Sequence, residues 1–419
     1  MKNTPNLQHL RHILHTRLPF YLQMLQQMVA INSFTANPEG VNALGKLTAK
    51  QFAELGFRAE MIPSENPRYG KHLVLTRPGS GARKVGFVSH LDTVFPAIEE
   101  EENEFYWRED GERIYGPGTV DIKGGTVLMY MVLEAIREAD PSTFEETTWI
   151  LLLDASEETD GQDFGRLCKE RLSSDETAGC LIFEGGYFDG ERAKVVVARK
   201  GMAIYDVEVE GRAAHAGTAH QNGANAIVQL AKLVTQIAGF TDYERELTFN
   251  VGTIAGGSVV NRVPHWASAR VEMRGYTMDA FDEGVSQMLA LADGAAVGSA
   301  NGDYTCRVAI SMTRRTEPWP RNEQTDRLLS IWQQAGELVG INVVPEQRGG
   351  LSDGNYFWRE IPTLDALGPS GGNAHCSQRS ADGSKEQEYV SRDSFVPKAL
   401  LNAVAVLLML DGSVANGGE

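Results

Sequence analysis

The sequence predicts an α/β domain on a mixed, largely parallel sheet with helices on both faces, interrupted by an inserted ferredoxin-like α+β domain. Three observations lead there. Apolar runs of three to five residues recur at 73–75, 85–88, 149–153 and 180–183 with helical patterns between them, as strands buried on both faces do. Near Gly201 the texture changes to strict alternation, opening a β-α-β-β-α-β order. A chain of 419 residues, at roughly 150 per domain, has room for two or three domains.

The first elements are helical. Leu18, Tyr21, Leu22, Leu25 and Met28 recur at helical steps, and Leu44, Leu47, Phe52 and Leu55 follow before the stop at Gly56. The four apolar runs come next, with a helix at 126–139. In the insert, Ala203, Tyr205, Val207 and Val209 alternate with Ile204, Asp206, Glu208 and Glu210. A helix at 225–237, strands near 247–254 and 267–276, a helix at 279–291 and a strand at 304–312 complete the pattern. The α/β texture then resumes with a helix at 323–338, a turn near 349–356, a strand at 363–366 and a last helix at 394–410. The division expected is 1–197 with 315–419 for the α/β domain and 198–314 for the insert.

Composition excludes several classes. Apolar residues make up 42% and charged residues 23%, ordinary for a folded chain. With 39 basic against 56 acidic side chains the net charge is −17, so nucleic acid and anionic membrane are poor partners. Lys2, His9, Arg11, His12 and Arg17 near the N-terminus are not followed by the apolar core of a leader, and the apolar stretch 403–410 reads as a turn or two of buried helix. A cytoplasmic location is the expectation. Cys168, Cys180, Cys306 and Cys376 have no regular spacing, which argues against a disulfide framework or a zinc ribbon.

Metal-binding residue types stand at the ends of three buried-strand candidates. The run 85–88 leads into His90 and Asp92, the run 149–153 into Glu157 and Glu158, and the run 180–183 into Glu184. In open α/β sheets, ligands bind outside the carboxyl ends of strands. Two glycine-bearing loops add Asp121 and His375. Singly, each has an ordinary reading: a satisfied histidine, a solvated Glu pair, a helix cap. Glu184 is the least ordinary, because a carboxylate after an apolar strand must be paired or solvated. Two imidazoles with three carboxylates suit a pair of zinc-like ions better than magnesium or calcium. Three carboxylates and a bridging hydroxide neutralise two divalent cations and over-compensate one. Gly79-Ser-Gly81 and Gly116-Pro-Gly118 lack the third glycine of a dinucleotide loop, and neither a Gly-x-Ser-x-Gly elbow nor a Gly-Lys-Ser/Thr loop occurs.

Five ordered motifs carry a family resemblance. They are Ser-His-Leu-Asp-Thr-Val at 89–94, Tyr-Gly-Pro-Gly-Thr-Val-Asp-Ile-Lys-Gly-Gly at 115–125, Glu157-Glu158, Gly-Arg-Ala-Ala-His-Ala-Gly at 211–217 and Gly-Gly-Asn-Ala-His at 371–375. Together the chain resembles the di-zinc metallopeptidase family of glutamate carboxypeptidase, acetylornithine deacetylase and succinyl-diaminopimelate desuccinylase, looking most like glutamate carboxypeptidase. The resemblance implies two zinc ions, with cobalt or manganese as alternatives. Asp121 would bridge them, His90 and Glu184 would hold one, and Glu158 and His375 the other. It further implies that Asp92 orients His90, that Glu157 is the general base, and that His215 stabilises the oxyanion, often across subunits in dimeric relatives. Asn261 would contact substrate and Arg314 would grip its free carboxylate. The α/β domain would then be catalytic and the insert a lid and dimerisation domain.

Within such a family Glu184 matches the carboxypeptidase and deacylase branches. The activity implied is hydrolysis of a small peptide or N-acyl amino acid that releases an amino acid with a free carboxylate. The alternatives are an N-acyl-amino-acid deacylase of the acetylornithine deacetylase or desuccinylase type and, remotely, a non-catalytic metal- or peptide-binding scaffold. Three features depart from the family pattern: Ser156 where Asp is common, Cys376 after His375, and a longer stretch at 377–387 before Glu388-Tyr389.

Overall fold

The computed structural model describes residues 6–411. They form two compact units, one running to Val197 and comprising also Arg321–Gln347 and the chain from Ser352, the other Ala198–Pro320 with Arg348–Leu351.

The first unit is built on a six-stranded sheet. Its spatial order is Arg58–Pro63, Lys71–Arg77, Thr148–Asp154, Lys84–His90, Thr177–Ile182 and Thr363–Leu364. The three pairings from Thr148–Asp154 onward are parallel, and the two on the other side are antiparallel. The mixed, largely parallel α/β class is therefore what the chain adopts. Each central strand is buried almost throughout, which is why the apolar runs were legible. Arg58–Pro63 is mostly exposed and carries no such run.

Helices cover both faces. Gly124–Ala139 packs on the face that carries Val85 and Phe87, and the Ser89 and Thr126 hydroxyls meet there at 2.7 Å. On the opposite face Gly86 leaves room for Leu172 of the helix Gln162–Leu172. The last helix, Phe395–Asp411, matches the helix expected at 394–410, and the apolar stretch 403–410 is its buried C-terminal half. By length and composition its segment Arg392–Asp411 could cross a membrane, yet 83% of its most apolar window is buried inside the unit, so it is a core helix.

A second, smaller sheet reads as loops in the sequence. Gly371–Gly372, Tyr389–Ser391, Arg113–Tyr115 and Arg108–Asp110 pair antiparallel in that order. The glycine-rich segments 115–121 and 371–375 depart from strands separated by only one other strand.

The second unit has a four-stranded antiparallel sheet ordered Thr248–Gly256, Trp266–Gly275, Gly201–Glu210, Arg307–Thr316. That is the ferredoxin-like order. Ala203, Tyr205, Val207 and Val209 face a separate core with Leu230, Leu233, Phe281 and Met288 from its two helices. Its last strand runs to Thr316, not 312, and a register shift opposite Ile204 and Tyr205 absorbs Thr313.

Candidate metal centre

Strand ends and turns of the first unit deliver the site. His90 closes Lys84–His90, Glu157 and Glu158 lie in the turn after Thr148–Asp154, and Glu184 follows Thr177–Ile182. Asp121 sits in the irregular turn Thr119–Lys123 with a cis peptide to Ile122. His375 adopts a left-handed φ of 66°.

Asp121 is shared. Its Oδ1 lies 3.0 Å from His90 Nε2 and its Oδ2 3.3 Å from His375 Nε2. Glu184 Oε1 is 3.7 Å from His90 Nε2, and Glu158 Oε2 is 3.2 Å from His375 Nε2. Two triads result, His90–Asp121–Glu184 and Asp121–Glu158–His375, with the ligand atoms of each within 4.8 Å of one another. Each offers one imidazole nitrogen and two carboxylate oxygens, a donor set that fits a zinc-like ion. All five residues singled out in the sequence converge here.

The electrostatics favour cations. Hydrogen bonds with His375 and His90 overcome burial and hold Asp121 well below the usual carboxylate range. Hydrogen bonds to Asp121 and Glu158 lift His375 to about 11. Burial pushes Glu157 up; His90 opposes this, and Glu184, Glu158 and Asp121 add to the rise. Four carboxylates gathered around two imidazoles make a site that attracts positive charge, as protons or as metal ions.

Asp92 does more than orient one ring. His90 Nδ1 is 3.0 Å from the Asp92 backbone oxygen and 3.4 Å from its Oδ1, which leaves Nε2 to face the site. The Asp92 carboxylate also accepts the N–H groups of Glu157 and Glu158 at 3.2 and 3.3 Å and the Thr35 hydroxyl at 2.7 Å. One carboxylate thus sets the strand-end histidine and the Glu pair together.

Several supports were not read from the sequence. Glu388 Oε1 accepts the N–H groups of Val120 and Asp121 at 3.0 and 3.2 Å, fixing the Asp121 turn from beneath. Burial and then Asp121 raise Glu388 to about 8, while burial lowers its neighbour Lys123 to about 8. Lys123 caps the Ile31 carbonyl at 3.1 Å. Ser156 keeps the Glu turn in shape without a carboxylate of its own: its N–H reaches Asp154 Oδ1 at 2.8 Å and its hydroxyl the Asp160 oxygen at 2.9 Å. Cys376 is half-buried, with its thiol 3.6 Å from the Gln378 oxygen. A motif signal existed for Lys123 and Glu388, beside Asp121 and Tyr389; Thr35 and His72 have none.

The remaining predicted residues lie in the second unit. His215 is exposed, and its Nδ1 accepts the N–H groups of Gly217 and Thr218, both at 3.1 Å. The proton of the neutral ring therefore sits on Nε2, ready to donate. Asn261 is beside it, accepting the Ala216 N–H at 3.0 Å. Arg315 turns to the helix face and pairs with Asp282 at 2.7 Å. Arg314 then falls on the opposite face, which it shares with Arg274.

Known proteins resemble this chain over most of its length. The family model described as peptidase family M20/M25/M40 matches residues 86–399. Carboxypeptidase G2 of Pseudomonas sp. (strain RS-16) is 25% identical over 402 residues, covering 94% of this chain and 89% of its own. Acetylornithine deacetylase of Erwinia tasmaniensis is 27% identical over 297 residues, 66% of this chain and 73% of its own. Among solved structures, aminopeptidase PepT from Bacillus cereus superposes with a TM-score of 0.74 at 22% identity, covering 94% of this chain and 99% of that one.

His72 supplies a pH test of the Glu turn. It is buried between Asp154 and Asp163, at 3.0 and 3.1 Å. The Ala155 N–H, 3.2 Å from Nδ1, suits a neutral ring, but the two carboxylates outweigh it. Burial pulls the imidazole down, hydrogen bonds to Asp154 and Asp163 pull it up, and it reaches about 9 from 6.5. A raised folded value stabilises fully below 6.5 and is lost as pH rises through about 9. Urea unfolding should therefore lose roughly 3 kcal/mol across that window, a slope absent in His72→Phe. Parallel slopes in the two proteins would contradict the charged pairing.

Proposed function

The chain belongs to the peptidase family M20/M25/M40, and we propose that it hydrolyses an amide bond to release an amino acid with a free carboxylate, as a glutamate carboxypeptidase does. It is a metallo-hydrolase of that family acting on peptide or amide substrates. The observation that carries the reading is Asp121, with each oxygen against a different imidazole and Glu157 next to the pair. Similarity to carboxypeptidase G2 over 94% of the chain, against 66% for the acetylornithine deacetylase, favours the carboxypeptidase form.

His90, Asp121 and Glu184 would hold one zinc, and Asp121, Glu158 and His375 the other, with cobalt or manganese as substitutes. Such a pair, when bound, polarises the scissile carbonyl and acidifies a water. The chain supplies the rest. The Glu157 carboxylate takes the proton of the attacking water as the oxygen adds to the carbonyl carbon. It returns that proton to the nitrogen as the C–N bond breaks. By the family resemblance, the His215 Nε2–H would donate to the oxygen that gains charge, Asn261 would contact the substrate and Arg314 would pair with its free carboxylate.

The unit that carries His215 also has an unpaired edge. Thr248–Gly256 is the outer strand of its sheet, and Ile254, Val259, Val260, Ile227 and Trp266 are exposed on or near it. Ile227 packs at Gly256 and Gly257, so the apolar positions adjoin. A second copy of the chain is the proposed occupant.

Three measurements test this reading. Metal-loaded protein should hydrolyse an N-acyl-glutamate in preference to N-acetylornithine; turnover of the ornithine derivative alone would favour the deacylase, and bound zinc without turnover on any amide the scaffold. Glu157→Ala should lose roughly a thousandfold in kcat while retaining both ions, and full activity in it removes Glu157 from the mechanism. Sedimentation should give a dimer that Val260→Asp dissociates; an active monomer would rule out a partner's contribution.

A further inference from the structure

We propose that the stretch 377–387 is a strap that sets the position of His375, and that Glu386 within it is a positioning residue for the ion site of Asp121, Glu158 and His375. The proposal rests on the di-metal reading above.

The two imidazoles are held very differently. His90 ends a buried strand and its side chain is 0% exposed, whereas the His375 side chain is 54% exposed. Asn373, Ala374 and His375 are all exposed, and both Asn373 and His375 adopt left-handed φ values, 58° and 66°. Residues with side chains are uncommon in that region, Asn and His less so than most, and two so close together are selected by surrounding contacts. No core packs on this turn, so hydrogen bonds must do it.

Those bonds come from the strap and its flanks. The Cys376 N–H reaches the Asn373 oxygen at 2.9 Å, and the Glu388 N–H reaches the Cys376 oxygen at 2.7 Å. Asn373 Nδ2 donates to Glu386 Oε2 at 3.1 Å. The other oxygen of Glu386 accepts the Tyr115 hydroxyl at 2.8 Å and pairs with Arg113. Arg113 lies over the Tyr389 ring, and the Tyr115 and Tyr389 rings are 5.7 Å apart. Arg113–Tyr115 is the strand that leads into the Asp121 turn. Glu386 therefore ties the loop that presents His375 to the strand that feeds Asp121, and so controls the spacing of two ligands of one triad.

The strap is itself anchored, as a positioning device must be. Gln387 Nε2 donates to the Asn103 and Ser377 oxygens at 3.0 and 2.9 Å, and Asn103 Nδ2 donates to Ser377 Oγ at 3.2 Å. Arg379 pairs with Glu104, and the Ser380 N–H closes on the Lys385 oxygen at 3.0 Å. Glu386 is presented from a closed loop fixed at its base.

The test is Co²⁺ titration of metal-free protein, followed by calorimetry and by the visible spectrum of the bound ion. Wild type should take up two ions. Glu386→Ala should keep one at unchanged affinity and bind the other about tenfold to a hundredfold more weakly. Glu386→Gln keeps one acceptor oxygen for the Tyr115 hydroxyl and can donate its amide N–H to the Asn373 Oδ1 if that amide turns over, so it should recover part of the loss. Asn373→Gly removes the same bond while tolerating the backbone angle, and should reproduce the weakening even if Glu386→Ala folds poorly. Two ions at wild-type affinity in a folded Glu386→Ala or in Asn373→Gly would overturn the proposal alone. A wild type that binds no ion would sink the di-metal reading and the proposal with it.

Discussion

The metal centre of the first unit is organised around the sharing of Asp121 between two imidazoles. For each oxygen to face a different ring, a turn from before the helix Gly124–Ala139 must meet a strand end and a loop more than 250 residues later. Crowding four carboxylates at that point is costly in a poorly hydrated cleft. The arrangement is tolerable only if positive charge is supplied. The two histidines supply part of it, and a pair of divalent ions would supply the rest.

The supports fix the backbone on either side of those charges. Asp92 spends its carboxylate on two backbone N–H groups, a hydroxyl and the His90 ring. Glu388 does the same for the Asp121 turn. Both are buried acids whose oxygens accept hydrogen bonds from the backbone, the cheapest way to keep a carboxylate inside a protein. The cost is that removing either one takes away the acceptor of two backbone N–H groups.

Much of this was legible in the sequence because the strands that matter are buried on both faces. Uninterrupted apolar runs located the central strands, and the polar residues directly after them located His90, the Glu pair and Glu184. What escaped has equally physical causes. Arg58–Pro63 is an exposed edge with no apolar signature. Gly371–Gly372 and Arg113–Tyr115 are too short to show a period, so the sheet that aligns the two glycine-rich loops was invisible. Thr35 and His72 act through one or two hydrogen bonds across large sequence separations, and no local pattern encodes such a pairing. The extra length of the inserted unit's last strand was hidden by the bulge at Thr313, which shifts the alternation that periodicity depends on.

The asymmetry between the two triads bears on how substrate would reach them. His90 is sealed beneath the sheet end, and Glu184 and Asp121 are largely covered, while His375 stands half in solvent on a turn. In the proposed reaction the scissile carbonyl would approach on the exposed side, where His375 stands. That side must then combine two demands that conflict: it must be exposed enough to admit an amide and rigid enough to hold a ligand within a few tenths of an ångström. Packing cannot meet both, since packing closes the door. A turn in a left-handed conformation, held from its outer edge by hydrogen bonds to a carboxylate, can, and the stretch 377–387 lies on that outer edge.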